Sequence, residues 1–191
     1  MIHERPAELL QELIRFDTTN PPGNEAACVD YVRGLLEEAG IETETYAADR
    51  ARPNLVARLR GEDSSSPLLL QGHVDVVTTA NQQWTHPPFE GRLVDGWVWG
   101  RGALDMKGAV AMMVAAVLRA KHERARLPRD VVLVVLSDEE GGGDLGARFL
   151  VERHPELFTG MRYALGEFGG FTLGLGGRRF YPIQVAEKQI C

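Results

Sequence analysis

The stretch VVLVVLSDEEGGG, Val131 to Gly143, decides the fold class. Its opening run from Val131 to Leu136 is wholly apolar and mostly β-branched, the pattern of a strand buried on both faces of a sheet. Ser137 and the acidic, glycine-rich residues that follow end the run abruptly. Upstream, Leu68-Leu69-Leu70 is a second apolar run, and residues 106–120 between the two carry a helical pattern. Strand, helix and strand in that order predict an α/β fold: a mostly parallel sheet flanked by helices.

The same alternation extends toward the N-terminus. Residues 6–16 place Leu9, Leu10, Leu13 and Ile14 on one helical stripe, and residues 25–39 do the same with Val29, Val32, Leu35 and Leu36 before Gly40. Residues 41–46 alternate as a half-exposed strand does, and residues 54–59 do so less cleanly. Asp95-Gly96, between Arg92-Leu93-Val94 and Trp97-Val98-Trp99, predicts a tight hairpin, because both central turn positions tolerate positive φ. A further helix is expected from about Asp144.

Composition narrows the function classes. With 191 residues, 44% of them hydrophobic, the chain can bury a substantial core. A formal net charge of −6 with no basic run disfavours nucleic acid as a partner. Cys28 and Cys191 are the only cysteines, which predicts no disulfide framework and a reducing compartment. The N-terminal residues are charged where a signal peptide needs an apolar core, and no apolar run reaches membrane-spanning length. The expectation is a cytoplasmic protein with no membrane partner.

In an open α/β sheet, functional groups gather beyond the carboxyl ends of the strands. His73 follows one apolar run, Glu139 and Glu140 follow another, and Glu167 follows Arg162-Tyr163-Ala164-Leu165. His73 and Asp75 sit two apart in extended chain and so point to one side, which suits a metal-binding imidazole and the carboxylate that orients it. A hydrogen-bonded strand-end histidine and a turn aspartate satisfy the same pattern. The adjacent charges of Asp138-Glu139-Glu140 repel unless a cation or solvent compensates them, so the segment is either a metal-facing turn or a solvated acidic one. Asp105, just ahead of a long helix, is either its N-cap or a carboxylate shared by two metal ions.

Other features read more plainly. Leu173-Gly174-Leu175-Gly176-Gly177 lacks phosphate-loop spacing and predicts a turn. Trp84, Trp97 and Trp99 are expected to pack around the hairpin, Arg178 and Arg179 to form a solvated strand end, and His3, His86, His122 and His154 to lie at the surface.

The segments TTNPPGNE (18–25), GHVDVV (72–77), WTHPPFEG (84–91), GRGALDMKGA (100–109), SDEEGGG (137–143) and ALGEFGG (164–170) together resemble the M20 family of metallopeptidases and aminoacylases. The resemblance implies a zinc-peptidase-like catalytic domain with two zinc ions, cobalt or manganese being alternatives. His73 and Glu167 would bind one ion, Glu140 the other, and Asp105 would bridge them, with a cis peptide after Asp105. Asp75 would orient His73. Glu139 would be the general base acting on the metal-bridging water, and the reaction would be hydrolysis of an amide in a small peptide or N-acyl amino acid. The wording leans toward the aminoacylase and carboxypeptidase-like branch. The resemblance also implies that residues 1–191 are the N-terminal part of an incomplete catalytic domain, lacking a lid or dimerisation domain and the later histidine for the second ion. An alternative is a truncated, inactive fragment with partial metal binding through His73, Asp105 and Glu167, or with an association role. Sheet surface left uncovered would favour self-association.

Overall fold

The computed structural model describes residues 1–62, 65–167 and 172–180. Two amphipathic helices come first, α1 (Pro6–Arg15) and α2 (Ala26–Glu38), followed by strands β1 (Glu42–Tyr46), β2 (Asn54–Leu59) and β3 (Ser65–His73). The hairpin β4 (Arg92–Val94) and β5 (Trp97–Trp99) precedes helix α3 (Lys107–His122) and strand β6 (Arg129–Leu136). Helix α4 (Ala147–Arg153) leads to β7 (Tyr163–Leu165) and a second hairpin, β8 (Leu173–Leu175) and β9 (Arg178–Phe180). Among the described residues, no helix is long and apolar enough to cross a membrane.

Among the described residues, the main sheet has five strands in the order β1-β2-β6-β3-β7. β3 pairs in parallel with both β6 and β7, whereas β2 is antiparallel to β6 and to β1. Four strands therefore share one direction and β2 alone is reversed. α3 makes the crossover between the parallel neighbours β3 and β6, as their sequence order requires.

The apolar run that announced the fold is buried on both faces. Leu133 and Val135 pack with α1, α2 and α3 through Leu9, Leu13, Val29, Val32, Val110 and Val114. Val132, Val134 and Leu136 face the other way, onto Val56 and onto Leu150 of α4. Alternate side chains of one strand thus join two cores. Coverage is uneven: on β7, the edge strand among the described residues, Tyr163 and Leu165 are more than half exposed.

Some local expectations hold and others change. Asp95 and Gly96 take the positive φ values of 51° and 82° that the tight hairpin needs, and Gly176-Gly177 turns β8 into β9 in the same way. The tryptophans do not pack together around the hairpin. Trp97 is 73% exposed, Trp99 stands edge-on to His86 at 5.0 Å, and Trp84 carries the Arg101 guanidinium 5.1 Å above its ring. Helix α4 begins at Ala147, later than expected, because residues 141–146 are spent in turns. Arg178 and Arg179 are solvated, and His122 is exposed; His3, His86 and His154 are half-buried. Phe168 to Gly170 of the last quoted segment, and Cys191, lie outside the described residues.

Candidate metal centre

β3 and β6 end side by side, with His73 paired to Leu136. Just past those ends, the chain from Thr18 to Asn20 lies along Val74 to Val76: the Thr18 hydroxyl donates to Val74 O at 2.6 Å, and Asn20 N–H to Val76 O at 2.9 Å. The carboxyl end of the sheet is thereby walled by a loop that brings polar side chains of its own.

Into this end project an imidazole and several carboxylates. His73 Nε2 lies 3.2 Å from Asp105 Oδ1, 3.4 Å from Glu167 Oε2 and 3.8 Å from Glu139 Oε2. One ligand atom from each of His73, Asp105 and Glu167 falls within 4.8 Å of the other two, the one such grouping among the described residues. The imidazole is 1% exposed, while the three carboxylates are 56%, 42% and 52% exposed for Asp105, Glu167 and Glu139. A ligand reaching them from solvent therefore meets carboxylate oxygens first and the ring nitrogen at the floor.

Asp105 reaches this position from the turn ahead of α3. The residue flanking that helix is Met106, and no side chain caps it, so the N-cap alternative for Asp105 does not hold. The Asp105-Met106 peptide is cis, as the resemblance implied.

The other ring nitrogen is held from behind. His73 Nδ1 lies 2.9 Å from the Asp75 backbone oxygen and 3.3 Å from Asp75 Oδ1, both acceptors, so Nδ1 is held as a donor and Nε2, on the side of Asp105 and Glu167, is the nitrogen that would meet a cation on giving up its own proton. Asp75 is fully buried. Its carboxylate also accepts the backbone N–H groups of Glu139 at 3.1 Å and Glu140 at 3.0 Å, and the Asn20 amide at 2.8 Å.

The electrostatics describe a cluster with too much negative charge for its space. Burial alone would lower the His73 pKa, but the hydrogen bond and charge of Asp75, with the charge of Glu139, push it up to about 9. Burial and the neighbouring Asp105 charge raise the carboxyls of Glu140 and Glu167. Burial works against ionising Asp75 too, yet the donors around it hold its carboxyl below the usual range. A divalent cation would offset the like charge that raises Glu140 and Glu167, and one imidazole with carboxylate oxygens is a donor set that zinc accepts.

The sequence motifs located His73, Asp75, Asp105, Glu139 and Glu167, and the structure brings all five together. Glu140 is half-buried and close enough to Asp105 to feel its charge, but it does not join the three-residue grouping. Motif reading assigned nothing to Asn20, Glu25, Arg52 or Asp138, which form a buried polar chain behind Asp75. Asn20 and Glu25 stood in the quoted TTNPPGNE segment; Arg52 had no local signal.

Comparison with known proteins places the chain. Residues 69–176, spanning His73, Asp75, Asp105, Glu139 and Glu140, match Peptidase family M20/M25/M40. The chain is 38% identical over 149 residues to the succinyl-diaminopimelate desuccinylase of Paracoccus denitrificans, across 77% of this chain and 38% of that one. It is 34% identical over 148 residues to the N-formyl-4-amino-5-aminomethyl-2-methylpyrimidine deformylase of Bacillus subtilis, across 74% of this chain and 35% of that one. The chain thus spans well under half the length of these relatives. The fold is shared with the M20 family metallo-carboxypeptidase Sso-CP2 of Sulfolobus solfataricus, at 18% identity and a TM-score of 0.74, over 87% of this chain and 38% of that chain. The chain belongs to peptidase family M20/M25/M40.

Proposed function

We propose that this chain carries the N-terminal part of the catalytic domain of a cytoplasmic, metal-dependent amide hydrolase acting on small N-acyl amino acids or peptides. The observation that carries the reading is the convergence of His73, Asp105 and Glu167, with Glu139 beside them. The donors suit zinc: one buried imidazole with its far nitrogen already bonded, and carboxylates open to solvent. His73, Asp105 and Glu167 would hold one ion, and Glu140 would share Asp105 with a second. When bound, such ions lower the pKa of a water and polarise a scissile carbonyl.

The chain's own residues supply the rest. Asp75 fixes the imidazole tautomer and ring plane. Glu139, 52% exposed and 3.8 Å from His73 Nε2, is free to take a proton from the attacking water and return it to the leaving amine. Its backbone N–H is anchored on Asp75, so the side chain moves from a fixed base.

Relatives named for removing a succinyl and a formyl group favour N-acyl substrates over longer peptides. The test is amine release from N-succinyl and N-formyl amines by the zinc-loaded chain, with metal content measured on the same sample. Two ions per chain with turnover support the hydrolase. A second reading rests on the chain's span of 38% of its relative's length: one ion held and no turnover would assign these residues a partial site, completed by further protein.

A further inference from the structure

Behind the metal centre lies a run of buried charges that the proposed chemistry does not use. Arg52 lies in the loop before β2 and is 7% exposed. Its guanidinium grips Glu25 with two bonds, from Nη2 at 2.7 Å and from Nε at 3.0 Å. Its third nitrogen, Nη1, lies 3.0 Å from Asp138 Oδ1. That same oxygen accepts the Asn20 amide at 3.1 Å, while Asp138 Oδ2 accepts the Leu145 N–H at 2.9 Å. Asn20 Nδ2 also serves Asp75, at 2.8 Å. Glu25, Arg52, Asp138, Asn20, Asp75 and His73 are therefore linked in sequence, and every member is buried.

The link has a mechanical consequence. Asp138 stands at φ 65°, in the left-handed region that few side chains adopt, and it immediately precedes Glu139 and Glu140. Its carboxylate is fixed by donors from three separate segments, so the backbone turn it begins is fixed too. The packing is tight enough to dictate neighbouring residues: a Cβ on Gly141 would come within 2.5 Å of Asp138 Oδ1 and 2.8 Å of Asn20 Nδ2. One on Gly23 would lie 2.2 Å from Arg52 Nε.

We propose that Arg52 and Asn20 are positioning residues for the metal centre: they clamp Asp138 so that the Glu139 and Glu140 amides meet Asp75, and so set where Glu139 and Glu140 stand relative to His73. This rests on the metal-binding reading above. Arg52 supplies a planar fork that serves two carboxylates at once, which a lysine ammonium cannot reproduce. Asn20 supplies the single amide that joins the clamp to the carboxylate orienting His73.

The test uses cobalt(II) as the probe on the full chain, reading its visible absorption spectrum, its dissociation constant and the thermal midpoint of the protein. Asn20→Ala and Arg52→Lys are expected to fold, to alter the cobalt spectrum and to weaken cobalt binding about tenfold or more. Ile41→Val, a core change remote from the clamp, is expected to lower the thermal midpoint with spectrum and affinity unchanged, which separates positioning from general stability. Folded Asn20→Ala and Arg52→Lys proteins with the wild-type spectrum and affinity would overturn the clamp alone. Loss of the folded state in both variants would assign the cluster to folding and overturn it as well. A wild-type chain that gives no bound-cobalt spectrum would overturn the metal-binding reading, and the clamp with it.

Discussion

The backbone N–H of Glu140 donates to the carboxylate of Asp75 at 3.0 Å, across 65 residues of sequence. The residue that orients the buried imidazole is thereby the residue that anchors the acidic turn after β6. The orientation of the imidazole and the placement of the proposed base rest on one carboxylate, and a change to it disturbs both.

Removing that carboxylate is the sharpest structural test. Asp75→Ala leaves the Glu139 and Glu140 amides and the Asn20 side chain without their acceptor in a fully buried place. Zinc affinity should fall about 10- to 100-fold, and urea stability of the metal-free chain should drop by about 2 kcal/mol or more. Competition against a chelating dye and a urea melt measure the two effects. Unchanged zinc affinity would remove Asp75 from the orienting role.

Glu139→Gln separates binding from chemistry. The substitution keeps the side chain's size and removes its basicity, and Glu139 is outside the grouping of His73, Asp105 and Glu167. In a full-length relative carrying this N-terminal sequence, zinc content should persist while turnover falls about 10²- to 10⁴-fold. Near-wild-type turnover would rule Glu139 out as the base.

What could be read from sequence, and what could not, follows from the range of the contacts. Strands β3 and β6 were legible because short, bounded apolar runs, β-branched in β6, suit strands inside a sheet covered by helices. His73 and Glu139 were legible because each follows such a run, Asp75 because it stands two residues from His73 in extended chain, and Glu167 because it follows the short strand Tyr163–Leu165. The reversal of β2 was not, since the alternation in residues 54–59 carries no direction. Arg52 was invisible for a related reason: its partners are 27 and 86 residues away, and nothing beside it announces them. Asp105 sat between two roles that local sequence satisfies equally; the structure removes the N-cap role, since Met106 flanks the helix without a side-chain cap, and places Asp105 3.2 Å from His73.

Burial also fixes the chemistry of Cys28. Surrounded by the α2 core, its thiol is pushed up to about 11 by desolvation, with Lys107 opposing and Glu25 adding to the rise. At pH 8 the native thiol is protonated as well as inaccessible, so alkylation of Cys28 should require unfolding. Peptide mass spectrometry after iodoacetamide treatment, with and without urea, measures this. Rapid modification of Cys28 in the native chain would contradict the packing.

Edge strand β7 offers a different liability. Tyr163 and Leu165 are 57% and 56% exposed on a strand that, among the described residues, is paired along one side only. Such an edge invites pairing with another chain, and a lysine is the usual protection. Leu165→Lys should lower any concentration-dependent increase in sedimentation coefficient relative to wild type. Association that persists unchanged in that variant would place the contact elsewhere.

His73, Asp105 and Glu167 are proposed to hold a metal ion together, and zinc titration of the chain beside its His73→Ala variant tests this most directly. Calorimetry should find at least one tightly bound zinc per wild-type chain, and loss of that binding in a variant that remains folded by circular dichroism. Equal zinc stoichiometry and affinity in the two proteins would contradict the account.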